Sequence, residues 1–153
     1  MGNTYTQIHI QFIFAVKFRA GLLNSEWKEE LYQYISGIIK SNNHKLLAIN
    51  GMPDHIHIFV GMRPTQSVSE LMQVVKANSS KWINEKKFLK SKFEWQEGYG
   101  AFSYSKSHVN KVIDYIKSQE THHNSKSFKE EYLDFLKIFE IDYDERYIFK
   151  API

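Results

Sequence analysis

Cysteine is absent from the 153 residues, which removes disulfides, thiolate nucleophiles and Cys-ligated zinc in one step. Any metal site must therefore be built from nitrogen or oxygen ligands. Long apolar runs are missing too: no stretch approaches the roughly 18 consecutive apolar residues of a membrane span. The start, MGNTYTQIHIQ, lacks a basic segment followed by an apolar run, so a cytoplasmic location and no membrane partner are expected. No internal repeat, low-complexity tract or GxxxxGK[ST] phosphate loop is visible. Charge of one sign is scarce as well. Twenty Lys and Arg against 17 Asp and Glu leave a net charge of +3, which permits a nucleic-acid partner without demanding one.

What is present is a globular balance, 42% hydrophobic and 24% charged, which excludes disordered, collagen-like and coiled-coil classes. The length suits one core, so residues 1–153 are expected to form a single domain, with 128–153 as a C-terminal helical extension. Tyr5 to Ala15 alternates, with Ile8, Ile10, Phe12 and Phe14 on one side and Gln7, His9 and Gln11 on the other, the period of a half-buried strand. Asn24 and Ser25 can cap a helix carrying Trp27, Leu31, Tyr34, Ile35, Ile38 and Ile39, ending near Asn42. Lys45–Ile49 and His55–Met62 flank the turn signal Asn50-Gly51-Met52-Pro53-Asp54 and read as an antiparallel hairpin.

Ser67 to Glu70 fits a capping box for a second helix running toward Lys86. Short strands are expected at Phe93–Trp95 and Ala101–Ser105. Ser107 can cap a third helix bearing Val109, Val112, Ile113 and Ile116; a polar link at Thr121–Lys126 precedes a last helix at Phe128–Phe139. This order predicts an α+β fold: a ferredoxin-like antiparallel sheet with helices packed on one face, plus a C-terminal helical tail. The 15% aromatic content can stack unpaired bases, but most rings are expected in the core.

His55 and His57 lie two apart on a predicted strand, so both imidazoles leave one face and can chelate one divalent ion. Ile56, Ile58 and Val60 project the other way and anchor that strand. Seven histidines produce roughly 0.3 such pairs by chance, so the spacing alone is also that of two surface or hydrogen-bonded histidines. On the third helix Lys111, Tyr115, Gln119 and His122 follow at spacings of four, four and three, a polar stripe beside the apolar one. Tyr115 and Gln119 can present a phenolate and an amide oxygen to one site, and oxygen ligands suit Mg²⁺ or Mn²⁺. An amphipathic tyrosine at a helix edge has the same spacing.

Together these elements resemble the HUH family of single-strand nucleases, named for two histidines flanking a large hydrophobic residue, as in His55-Ile56-His57. The chain is most similar to the single-tyrosine transposases of small bacterial insertion sequences, the IS200-like and REP-associated tyrosine transposases. Four segments carry the resemblance in order: Met52 to Val60, Trp95 to Phe102, Val112 to Gln119, and the tail from Phe128-Lys129-Glu130-Glu131-Tyr132 through Tyr143 to Tyr147.

By that resemblance His55, His57 and Gln119 are metal ligands and Tyr115 is the nucleophile, with His122 or His123 as substitutes for Gln119. The activity implied is cleavage and rejoining of single-stranded DNA through a 5′-phosphotyrosine, assisted by Mg²⁺ or Mn²⁺. The partners implied are DNA with hairpin ends and a second copy in a homodimer, the tyrosine acting in either subunit's site. The phenol proton could leave to bulk base, metal-bound hydroxide or Lys111. Lys17, Arg19, Lys76, Lys81 and Lys111 are candidates to line the DNA approach. Two alternatives are a non-catalytic single-strand-binding module and a relaxase or replication initiator of the same chemistry.

Overall fold

The computed structural model describes residues 3–119 and 126–144, without the Arg19 side chain. His122, His123 and the tail from Glu145 onward lie outside these residues, as does most of the expected link before Lys126. Four strands, β1 (His9–Ala15), β2 (Lys45–Met52), β3 (His55–Gly61) and β4 (Gly100–Tyr104), form one antiparallel sheet in the order β2-β3-β1-β4. The helices are α1 (Lys28–Ser41), α2 (Val68–Lys86), α3 (Val109–Lys117) and α4 (Phe128–Ile138). The succession β1-α1-β2-β3-α2-β4 with this strand order is the expected ferredoxin-like arrangement. No helix among the described residues is long and apolar enough to cross a membrane.

The alternation read in β1 sorts its side chains as expected. Phe12 and Phe14 join Ile56, Ile58 and Val60 of β3 in the main core, under Leu31, Ile35 and Ile39 of α1 and Leu71, Met72 and Val75 of α2. The ladder begins at His9 rather than Tyr5. His9 pairs with Gly61 on one side and Tyr104 on the other, where β3 and β4 end, so earlier residues have little left to pair with.

The face opposite α1 and α2 is covered as well. It carries Ile13, Phe59 and Phe102, too much apolar surface to leave in water, and α3 and α4 pack over it through Val109, Val112, Ile116, Phe128 and Leu136. Helices therefore lie on both faces, and β3 is buried from His55 through Val60. Residues expected as a strand at Phe93–Trp95 form a single bridge, Val16 to Trp95. Their alternation reflects ring anchoring: Trp95 meets Phe14 edge-on at 4.7 Å and Phe93 at 4.8 Å, and its indole N–H donates to Ser79 Oγ at 2.9 Å.

Ser67 caps α2 by accepting from Glu70 N at 3.1 Å, and Ser127 caps α4 by accepting from Glu130 N at 3.2 Å. The third helix starts one residue later than Ser107 suggested: a 3-10 turn at Lys106–His108, begun by Ser105, leads into α3. Gly51 makes the hairpin tight, since a Cβ there would lie 2.4 Å from the His55 carbonyl oxygen.

Candidate active site

Three elements meet over the α3 and α4 face of the sheet. From β3, His55 and His57 point out of the pleat on the same side, both fully buried, with ring centroids 5.2 Å apart. Ala15 of β1 stands opposite His55 and Ile13 opposite His57, so the neighbouring strand is small where the first imidazole needs room. From α4, buried Glu131 reaches down with Oε1 3.0 Å from His57 Nε2 and 3.4 Å from His55 Nε2. From α3, Tyr115 donates its hydroxyl to the other oxygen of the same carboxylate, Glu131 Oε2. One carboxylate thus touches the two histidines and the tyrosine.

The outward ring nitrogens are held too. His55 Nδ1 lies 2.6 Å from Asp54 Oδ1, and His57 Nδ1 lies 2.7 Å from Gln11 Oε1. Burial works against a charge on His55, but Asp54 and Glu131 outweigh it and hold its pKa above the usual imidazole value. Burial pushes the Tyr115 phenol far above its ordinary range, and the Glu131 charge pushes the same way. Tyr104, beside the site, is raised to about 12 by burial.

His55, His57 and Glu131 offer three ligand atoms all within 4.8 Å of one another, a group that could hold a metal ion. Two neutral nitrogens and one carboxylate oxygen fit a divalent cation in chemistry, and the hydrogen bonds at both Nδ1 atoms turn both Nε2 atoms inward.

Of the residues singled out in the sequence, the structure brings His55, His57, Tyr115 and Gln119 together within one chain. The Tyr115 and His57 ring centroids are 6.0 Å apart. Gln119 lies just past the end of α3, fully buried, with Nε2 3.5 Å from Glu131 Oε2 and 3.4 Å from the Tyr115 carbonyl oxygen. Its amide nitrogen faces the carboxylate. Glu131 was missed, though a signal existed: an acidic residue at the i+3 position of the stripe that Phe128 opens, where the helix needs something apolar or something paired.

Lys111 lines a cavity of about 430 Å³ beside Tyr115, with Tyr104, His108 and Phe135 among its walls. The other cations lie elsewhere. Lys76 donates to the carbonyl oxygens of Gln96 and Gly98 at 2.7 and 2.6 Å, and burial lowers its pKa to about 8. Lys76 and the exposed Lys81 border a second groove along α2 and residues 92–97, and Lys17 pairs at 3.0 Å with Glu94 of that groove. Arg19 belongs to the 3-10 turn Lys17–Arg19 after β1.

The family model described as "Transposase IS200 like" matches residues 4–119. The chain belongs to the IS200-like transposase family. Among its relatives, the ISDra2 transposase TnpA of Deinococcus radiodurans is 24% identical over 118 residues, covering 74% of this chain and 84% of the relative. The transposase for insertion sequence element IS200 of Salmonella typhimurium is 26% identical over 125 residues, covering 78% and 81%.

Two solved structures share the fold. A candidate transposase from Deinococcus radiodurans superposes with a TM-score of 0.62 at 23% identity, covering 78% of this chain and 96% of the other. A REP-associated tyrosine transposase bound to a REP hairpin superposes at 0.60 with 16% identity, covering 80% and 73%. The match to the family ends at Gln119, so α4 and Glu131 lie beyond it.

Proposed function

We propose that this IS200-like transposase cleaves and rejoins single-stranded DNA, with Tyr115 as nucleophile and His55 and His57 as ligands of a divalent ion, Mg²⁺ or Mn²⁺. The observation that carries the proposal is the shared carboxylate: Glu131 contacts both imidazole Nε2 atoms with one oxygen and the Tyr115 hydroxyl with the other. A phosphate held by an ion at these ligands would lie within reach of the nucleophile. Glu131 joins the donor set as an oxygen ligand, and Gln119 steadies Glu131 and Tyr115 from beside them.

The ion, when bound, polarises the phosphate and stabilises the leaving oxygen. The Tyr115 oxygen attacks phosphorus, the bond from phosphorus to the 3′ oxygen breaks, and the strand is left with a 5′-phosphotyrosine and a free 3′-hydroxyl. The phenol proton leaves during attack, because its high pKa keeps the free site protonated, and the departing 3′ oxygen takes up a proton as it becomes the hydroxyl. Attack by a 3′-hydroxyl on the phosphotyrosine reverses the step and returns the proton to Tyr115, so rejoining needs no nucleotide cofactor.

Hairpin-ended DNA is the proposed substrate, since one structural neighbour is described as bound to a REP hairpin. A homodimer is the proposed assembly, and residues 1–153 the proposed single domain, its C-terminal extension supplying Glu131. Lys111, beside the nucleophile, Lys17, Lys76 and Lys81, near the second groove, and Arg19, in the 3-10 turn after β1, are the proposed contacts to the DNA backbone.

Labelled single-stranded oligonucleotides from the ends of the element, incubated with Mn²⁺ or Mg²⁺, should yield a covalent protein-DNA adduct on denaturing gels. Tyr115→Phe should abolish the adduct and leave DNA binding intact; an undiminished adduct would exclude Tyr115. His57→Ala should weaken ion binding and cleavage together, whereas full cleavage in chelator would exclude the metal. Binding without any adduct in the wild type would favour the non-catalytic alternative.

A further inference from the structure

Gln11 is 1% exposed, and none of the steps above uses it. In the β1 to β3 register it faces Phe59, two residues along from the Ile13 and His57 pair, so its long side chain reaches His57 diagonally. Its Oε1 lies 2.7 Å from His57 Nδ1, and its Nε2 lies 3.0 Å from the hydroxyl of Tyr104 on β4. Three polar side chains therefore run in one line across β4, β1 and β3, on a face otherwise built of Ile13, Phe59 and Phe102. Although Gln11 borders the 430 Å³ cavity beside Tyr115, both polar atoms of its buried amide make their hydrogen bonds within the line.

A neutral imidazole carries one N–H and one lone pair, and only the lone-pair nitrogen binds a cation. His57 turns Nε2 toward Glu131, so an ion there requires the proton on Nδ1. Two proton arrangements satisfy the line. With the amide oxygen toward His57, Nδ1–H donates to it, the amide nitrogen donates to Tyr104, and Nε2 keeps its lone pair. With the amide turned over, its nitrogen donates to Nδ1, Tyr104 donates to the amide oxygen, and Nε2 carries the proton, which it gives to Glu131. Only the first is open to a cation.

We infer that Gln11, braced by Tyr104, is a positioning residue that selects the Nδ1–H tautomer of His57 and so tunes cation affinity. This rests on His57 being an ion ligand. His55 is handled differently: its partner Asp54, as a carboxylate, only accepts, and it holds the Nδ1 proton in place at 2.6 Å. The site has one fixed imidazole and one adjustable one.

The full-length protein tests this by two readouts: Mn²⁺ affinity by electron paramagnetic resonance, and the histidine tautomer by ¹⁵N chemical shifts with Mg²⁺ as diamagnetic probe. Gln11→Leu should weaken Mn²⁺ binding roughly 10- to 100-fold and shift His57 away from the Nδ1–H form. Gln11→Glu restores an acceptor and should stay within roughly threefold of wild type, with Tyr104→Phe between the two. Should Gln11→Leu not fold, Gln11→Glu and Tyr104→Phe still decide. Wild-type affinity and an unchanged His57 spectrum in Gln11→Leu, or a loss of the Nδ1–H form in Gln11→Glu, overturns the inference. A wild type that binds no Mn²⁺ yet shows the Nδ1–H form of His57 would instead overturn the metal centre and leave the Gln11 contact standing.

Discussion

Lys76 spans from α2 to the loop before β4, where two carbonyl oxygens receive its ammonium and Phe14 lies 5.6 Å beneath it. Burial lowers its pKa to about 8, below the ordinary value of 10.5, so between these pH values the unfolded chain holds the proton more tightly than the folded one. Stability should therefore rise from about pH 8 to 10.5, and a fall in pH from 10.5 to about 8 should remove that gain. Thermal melts across this window should show the slope in the wild type and its loss in Lys76→Met.

Glu131 makes a second prediction at this scale. Its charge helps hold the Tyr115 phenol up, so in Glu131→Gln that phenol should titrate at lower pH. Ultraviolet titration, with the corresponding Tyr115→Phe proteins subtracted, checks this; an unchanged phenol would show that burial alone sets it.

The histidines and Tyr115 were legible because period-2 and helical spacing fix which side of an element a residue takes. Gln119 was legible as a member of the site, whereas its partner was not, because no local pattern says what lies opposite a helix across 12 residues of chain. Glu131 needed the tertiary packing of α4.

Among the elements, α4 is held by a cap and by a glycine. Ser127→Ala removes the acceptor for Glu130 N and should cost about 0.5–2 kcal/mol, read as faster amide exchange confined to α4 and a lower melting temperature. Gly100 lets α4 lie close: a Cβ there would come 2.8 Å from Tyr132 Cε1 and 2.9 Å from Phe102 Cε2. Gly100→Ala should cost about 1–3 kcal/mol by overpacking and loosen Glu131 from the imidazoles, measurable as weaker Mn²⁺ binding with the sheet intact by circular dichroism.

Eight of the nine expected elements formed, with ends shifted by a few residues, since capping and periodicity are local properties. The segment at Phe93–Trp95 makes only the single bridge to Val16, because β1 gives way to the 3-10 turn Lys17–Arg19 there, and its large rings are anchored against Phe14 and Ser79. The covering of both faces was written in Ile13, Phe59 and Phe102, whose apolar side chains share the histidines' face.

At the scale of the molecule, three layers stack: α1 and α2, the sheet, then α3 and α4. Tyr115 and both histidines come together in a single chain, so a mixture of Tyr115→Phe and His57→Ala proteins should remain unable to form the DNA adduct. Recovery of the adduct on mixing would mean that the tyrosine helix serves the partner's site in a homodimer.

All four strands and α1 to α3 precede Ser118, whereas Glu131 follows it. On a ribosome, the sheet and the nucleophile's helix emerge before the carboxylate that bridges tyrosine and histidines exists outside the exit tunnel. A polypeptide still being translated would hold its imidazoles and phenol without that bridge, and α4, made after them, couples them. Assembly of the reactive centre in this way waits for the synthesis of α4.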